Sequence, residues 1–120
     1  MKFHLSLMVL AAFAFTGVAH AHARLHKSDP ADNSTITAVP KNLALEFNEA
    51  VKLTALSLQK GDEKAQQLGP LPTTAAKQIT VAMPSVAPGS YIVKWRAMSD
   101  DNHIMAGKLL FTVAANPATK

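Results

Sequence analysis

The sequence predicts an all-β domain, an antiparallel β-sandwich or small barrel of Greek-key type. Short segments with an apolar side chain at every second residue recur along the chain, and Gly, Pro, Asn and Asp separate them. Beyond the N-terminal region, no stretch keeps a helical apolar period over a dozen residues. With 120 residues, 48% of them hydrophobic and 17% charged, the chain is long enough for one core and too short for two.

The N-terminal region has the three parts of a secretory signal peptide. A basic start precedes an apolar run of about a dozen residues, and Ala-His-Ala at 19–21 is a small-x-small cleavage pattern. The apolar run is shorter than the roughly 20 residues that cross a bilayer. We therefore predict a signal peptide at 1–21 and one periplasmic domain at 22–120 that does not span the membrane. Cleavage before Arg24 is the less favoured alternative.

Alternating apolar residues define the predicted strands of the mature chain. In order, they are 22–30, 43–47, 51–58, 78–83, 91–97 and 108–114. The first is predicted to be an edge strand, and a polar break at 48–50 separates the second from the third. The third has apolar residues on both faces, so the sequence does not define which of them face the core. Residues 62–77 are predicted to form a long surface connection, and Met83 and Trp95 to be core residues.

Composition excludes several functions. The chain has no cysteine, which rules out disulfides, thiolate metal sites and cysteine nucleophiles. Loss of Lys2 with the signal peptide lowers the formal charge from +4 to +3. The basic residues are scattered along the sequence and aromatic residues are few, whereas a nucleic-acid reader needs a concentrated basic face with aromatic platforms. We predict no nucleic-acid partner.

The polar loop at 99–103 is the first half of a predicted metal site. Residues two apart in an extended segment point to the same side, so Asp101 and His103 can face one ion. If cleavage exposes His22, its amine and ring nitrogen form a chelating pair. Three nitrogens and one oxygen in a plane suit Cu(II) best among the first-row ions. The alternative is that Asp-x-His is a solvated loop.

Several motifs resemble one known family. They lie at 22–25, 28–31, 45–51, 89–91, 93–99, 101–103, Gly107 and 111–113. In this order they are similar to the CopC-type periplasmic copper-resistance proteins, and the segment from Trp95 to His103 is the most specific. The resemblance implies a β-sandwich of immunoglobulin-like, cupredoxin-like topology. It also implies one Cu(II) per chain, bound by His22, Asp101 and His103.

The chain departs from the family pattern at positions that affect loop geometry rather than ligand atoms. Asn102 stands where the family often has glycine or threonine, and Ile104 stands where it often has proline. Some members also carry a methionine-rich segment that binds Cu(I). Here Met83, Met98 and Met105 are far apart, so we predict a Cu(II) site without a separate high-affinity Cu(I) site.

The predicted function is copper binding rather than catalysis. A closed plane of four protein ligands holds a metal but leaves little room for a substrate. We predict a periplasmic protein that sequesters, buffers or delivers copper in copper homeostasis or resistance. Its expected partners are an inner-membrane copper transporter or another periplasmic copper protein, and we expect a monomer.

Two other functions are weighed against copper carriage. The first is an enzyme with a histidine brace, similar to the lytic polysaccharide monooxygenases, which becomes possible if Asp101 stays off the metal. The scarcity of aromatic residues argues against a polysaccharide platform. The second is a metal-free adhesion module. His26 lies roughly 13 Å along a regular strand from His22, at about 3.3 Å per residue, and is predicted to be a surface histidine rather than a ligand.

Overall fold

The computed structural model describes residues 23–115, and every regular element in this range is a β-strand. The strands are β1 (Leu25–Asp29), β2 (Ser34–Ile36), β3 (Asn42–Lys60), β4 (Gln66–Gln67), β5 (Ala76–Ala82), β6 (Gly89–Ser99) and β7 (Ile104–Val113). Between residues 23 and 115 there is no helix with the length and apolar character to cross a membrane. The predicted signal peptide and His22 lie outside the described residues.

The long strand β3 connects the two layers of a curled sheet. Its first part pairs with β1 and β5, and its second part pairs with β6 and β4. The strand order is β1-β3-β6-β7-β2. Every pair is antiparallel except β2 with β7, which is parallel. The all-β sandwich that the sequence predicts is therefore confirmed.

The polar break at 48–50 lies within β3 and marks a change of partner. The pairing of β3 with β5 shifts register between Glu46 and Val51, and the pairing with β6 begins at Val51 opposite Ser99. The sequence indicates two strands here, whereas the structure has one. The alternation fails because neither neighbouring strand pairs regularly with these three residues.

A β-bulge in β3 explains the ambiguous inward set of the third predicted strand. Leu53 pairs with Ala97, and Ala55 pairs with the next residue of β6, so Thr54 is the extra residue. Because of this extra residue, odd-numbered residues of β3 face the core before the bulge and even-numbered residues face it after the bulge. Leu53 therefore lies inside before the bulge, and Leu56 and Leu58 lie inside after it, at 3%, 1% and 4% exposure.

The core lies between the inward faces of the two layers. The largest of its fully buried side chains include Phe47, Phe111, Leu43, Leu45 and Leu109. The ring of Trp95 meets that of Phe47 edge to face at 5.1 Å, and Trp95 is 7% exposed. Met83 is also buried. Both predicted core residues are confirmed.

Three stretches that form strands are missing from the sequence prediction. β2 was not predicted, because its three mostly polar residues show no apolar alternation and follow a segment with the composition of a turn. Two-residue β4 and the buried Leu68 interrupt the predicted surface connection. β7 begins at Ile104 rather than at 108. The alternation is hidden in its first half, where Ile104 faces outward and Gly107 lies opposite the buried Trp95, although all ten residues pair with β6.

Candidate metal centre

The connection between β6 and β7 is a tight hairpin that fixes the positions of Asp101 and His103. The amide of Ser99 donates to the carbonyl of His103, and the amide of Asn102 donates to the carbonyl of Ser99, both at 3.0 Å. Asn102 has a φ of 63°, in the left-handed region. Asparagine adopts this conformation more easily than most residues, and glycine does so freely. Asn102 thus satisfies the backbone requirement of this tight turn.

Asp101 and His103 contact each other above this turn. The Nδ1 atom of His103 lies 2.8 Å from Oδ2 of Asp101, and the hydroxyl of Ser99 donates to Oδ1 of the same carboxylate. The side chains of His103 and Asp101 are 63% and 62% exposed, whereas Ser99 is 7% exposed. A solvent-accessible Asp–His pair is therefore held by a hydrogen bond from a buried hydroxyl group.

The distance between Nδ1 and Oδ2 is suitable for two neighbouring ligands of one ion. Bonds from a metal to an imidazole nitrogen and to a carboxylate oxygen are each about 2.0 Å long. Two such bonds at a right angle place the ligand atoms about 2.8 Å apart, which is the cis edge of a tetragonal Cu(II) site. When Nδ1 carries a proton, the same distance is that of a hydrogen bond. A metal has to displace that proton.

The hydrogen bond from Ser99 is the main reason that the pKa of Asp101 lies below its ordinary value. The attraction of His103, when it is protonated, lowers this pKa further, and partial desolvation opposes both effects. Asp101 is therefore held as a carboxylate, the form in which it can bind a cation.

The described N-terminal end of the chain lies at the same end of the sandwich as the hairpin. The amide of Arg24 donates to Oδ1 of Asn48 at 2.7 Å, and the amide of Asn48 donates to the carbonyl of Arg24 at 3.1 Å. Three residues after Asn48, Val51 pairs with Ser99. Ala23 is 5% exposed, so the chain is anchored in the core immediately after position 22.

The described residues supply two of the three predicted ligands. No group of three or more His, Cys, Asp or Glu side chains between residues 23 and 115 could hold a metal ion. Asp101 and His103 are brought together as predicted, but the predicted ligand His22 lies outside the described range. A complete site therefore needs a ligand from elsewhere, and position 22 is bonded to the buried Ala23.

The other metal-ligand candidates occupy three different positions: His26 lies on β1, Met98 directly precedes Ser99, and Met105 follows Ile104 on β7. His26 is exposed and is the extra residue of a second bulge, between Leu25 and Lys27 in the pairing of β1 with β3. Met98 and Met105 are both half-buried, and Met105 packs against the core.

Sequence reasoning missed two residues that support the site. Ser99 enters the sequence prediction only as part of the polar loop at 99–103, and 48–50 only as a break between two strands. The spacing of Ser99 two residues before a carboxylate is a signal that could have found the first. Asn48 had no such signal, because its partner Arg24 is distant in sequence.

Comparisons with known proteins agree with this fold. A family model described as the CopC domain matches residues 25–114. The protein YobA of Escherichia coli strain K12 is 31% identical over 113 residues, which cover 90% of this chain and 91% of the relative. Copper resistance protein C of Pseudomonas syringae pv. tomato is 31% identical over 114 residues, with coverage of 86% and 89%.

A solved structure extends the likeness to three dimensions. The crystal structure of CopC from Methylosinus trichosporium OB3b matches with a TM-score of 0.70 and 28% identity, and covers 82% of this chain and 100% of that one. The fold and the hairpin define a small β-sandwich with an exposed Asp–His pair at one end. The chain belongs to the CopC family, as its sequence motifs predict.

Proposed function

We propose that this chain is a periplasmic protein that binds one Cu(II) ion and sequesters, buffers or delivers copper in copper homeostasis or resistance. The observation that carries the proposal is the 2.8 Å distance between Nδ1 of His103 and Oδ2 of Asp101, which suits two cis ligands of one Cu(II) ion. Membership of a family that includes proteins named for copper resistance supports the choice of metal.

The remaining ligands come from His22 after removal of residues 1–21. The new amine and the ring of His22 supply two nitrogens, and the anchoring of Ala23 and Arg24 restricts how far this residue can move from the hairpin. A chelating N-terminus loses less conformational freedom on binding metal when its neighbours are already fixed. Export and processing therefore create the site, and they place it in the periplasm.

The test is a Cu(II) titration of protein that begins at His22, followed by electron paramagnetic resonance and calorimetry. We expect one tetragonal ion per chain. His103→Ala and a glycine added before His22 each remove or displace a ligand and should weaken binding at least 100-fold, because even loss of a group behind a ligand costs about 10–100-fold.

A matched histidine variant provides the control. His26→Ala removes an exposed ring from the bulge of β1 and should change the affinity less than threefold. Equal losses in the variants at His26 and His103 would contradict the proposed ligand set. Absence of copper binding by the processed protein would contradict the function itself.

We propose binding rather than catalysis, because a carboxylate in the copper plane leaves little equatorial room for oxygen. With a reductant, the copper-loaded protein should produce no more peroxide than the same protein without copper. Sustained peroxide production that requires His103 would instead favour the histidine-brace enzyme. Intact-mass measurement of the exported protein checks that the chain starts at His22 rather than at Arg24.

A further inference from the structure

One outer sheet face of this molecule carries basic residues and no acidic ones. The second part of β3 forms a sheet with β4, β6, β7 and β2, and none of these strands contains Asp or Glu beyond residue 49. The exposed basic residues on the outer side of this sheet are Lys52, Lys94, Arg96 and Lys108. These residues are scattered in the sequence, and strand pairing brings them together.

The basic side chains of this face repel each other, and the carboxylate at its edge, Asp32, accepts a hydrogen bond from the amide of Leu110 at 2.9 Å and forms no ion pair with a lysine of the described range. Lys94 lies directly opposite Lys108, and Arg96 lies two residues along β6 on the same side. Like charges opposite each other in a sheet are destabilising. Within residues 23–115, no ion pair includes any of these three side chains. An external anionic surface would relieve this repulsion.

Two exposed apolar side chains lie beside the basic ones on the same face. In the part of the chain that the structure describes, Ile104 and Leu110 are the exposed large hydrophobic residues, at 62% and 39%. Ile104, Ala106, Lys108 and Leu110 follow each other along the outward side of β7. Arginine is enriched at protein interfaces, and exposed apolar side chains gain free energy when a partner removes them from water.

This face adjoins the candidate metal centre. Ile104 directly follows His103, and it pairs with Met98, which directly precedes Ser99. A partner that covers the end of β7 at Ile104 would therefore also lie next to the proposed copper ligands.

We propose that the face formed by Lys94, Arg96, Ile104, Lys108 and Leu110, here called the basic face, docks on an acidic surface of another protein that exchanges copper with this chain. The exchange rests on the proposed copper site, whereas the docking rests on the charge pattern alone. The partner surface carries Asp and Glu side chains opposite the lysines, and apolar side chains opposite Ile104 and Leu110.

Composition favours a protein over a membrane or a nucleic acid. Surfaces that bind a membrane commonly combine basic residues with Trp and Phe that enter the lipid interface. Among the described residues, the exposed large apolar side chains on this face are Ile104 and Leu110. The outward side of this sheet carries no aromatic residue on which a nucleic-acid base could stack.

The test uses a synthetic peptide with a run of glutamates between leucines as the probe, and a peptide with glutamine in place of glutamate as its control. Isotope-labelled processed protein is titrated with each peptide and followed by nuclear magnetic resonance. We expect the glutamate peptide to shift amide signals of β6 and β7, and the glutamine peptide to bind at least tenfold more weakly. Added salt should weaken the glutamate complex, because exposed charges are screened.

Two double variants with the same loss of charge test the location. Lys94→Gln with Lys108→Gln should weaken binding of the glutamate peptide at least tenfold. Lys41→Gln with Lys77→Gln removes two exposed lysines outside the basic face. This pair should change the affinity for the glutamate peptide less than threefold. Equal weakening by both pairs, or shifts spread over β1 and β5, would overturn the proposal. Binding to phosphatidylglycerol vesicles or to duplex DNA without binding to the peptide would also overturn it.

Copper titration of the same variants separates the two proposals. Lys94→Gln with Lys108→Gln should bind Cu(II) as the wild type does, because neither lysine is a proposed ligand. If the peptide binds the basic face but the wild type takes up no copper, the docking surface stands and the copper function fails. If copper binds normally but the peptide does not bind, the copper function stands and the docking surface fails.

Discussion

At the scale of single residues, the buried hydroxyl of Ser99 determines how the exposed carboxylate of Asp101 is presented. It donates to Oδ1 of Asp101, while Oδ2 faces Nδ1 of His103. A carboxylate with one oxygen fixed in this way loses less rotational freedom when its other oxygen binds a metal. Ser99 itself cannot turn away, because it is enclosed at the end of β6.

Ser99→Ala should raise the pKa of Asp101 toward its ordinary value, because the variant removes the main cause of the lowering. A lowered folded-state pKa stabilises the fold above the unfolded-state pKa, and this contribution is lost as the pH falls through the folded-state value. In the variant the loss should therefore occur at a higher pH. Carboxyl carbon shifts in a titration of the copper-free protein measure the change.

A conservative variant serves as the control for this prediction. Ser99→Thr keeps a hydroxyl donor and should keep the pKa of Asp101 low. If Ser99→Ala titrates like the wild type, the hydroxyl is not what stabilises the carboxylate.

At the scale of secondary structure elements, the bulge at Thr54 allows β3 to bury apolar residues on both sides of it. Without the extra residue, a strand that buries Leu53 would turn Leu56 and Leu58 outward, because side chains alternate between faces. The paired strand β6 alternates without interruption, so Lys94 and Arg96 remain on its outer side. One extra residue in β3 thus keeps its leucines in the core.

Deletion of Thr54 should abolish or severely weaken folding. Exposure of two buried leucines costs about 3–6 kcal/mol, at about 1.5–3 kcal/mol each, a large part of the about 5–15 kcal/mol by which domains are stable. Thr54→Ala retains the residue count and loses only the 3.2 Å hydrogen bond from its hydroxyl to the carbonyl of Arg96. In urea unfolding, the free energy of unfolding of Thr54→Ala should lie within about 1.5 kcal/mol of that of the wild type. Similar stability of the deletion and the substitution would contradict this role of the bulge.

At the scale of the whole molecule, the proposed copper site joins the chain terminus to the most distant hairpin in sequence. A ligand that binds only the folded state stabilises it, by about 2.7 kcal/mol at 100 times the dissociation constant. For a domain of this size, that corresponds to an increase in the melting temperature of about 10 °C or more. Copper should therefore act as a clasp between β1 and the β6–β7 hairpin.

Cu(II) should raise the melting temperature of the processed protein, and a chelator should reverse the increase. Protein with one extra residue before His22 has the same folded domain but a displaced amine, so copper should stabilise it far less. Differential scanning calorimetry with and without copper measures both effects. An equal increase in the two proteins would show that the amine does not bind the metal.

Much of the fold could be predicted from local patterns alone. Leu43, Leu45 and Phe47 alternate with polar residues and are buried in the structure, and the same period identified β5, β6 and β7. Local spacing also predicted that Asp101 and His103 lie on one side of the loop, although the structure brings them together through a tight turn at Asn102 rather than through an extended segment. The motifs indicated the family. The metal, its oxidation state and His22 as a ligand remain predictions.

Only the tertiary structure decided which distant residues lie together. It set the bulge at Thr54 and the single course of β3 through both layers. It also formed the hydrogen bonds between Arg24 and Asn48, and it placed Lys94 opposite Lys108 on one face. A period of two determines which side of its own strand a residue occupies. It carries no information about which strand lies alongside, because pairing depends on the register that buries the most apolar surface across the whole domain.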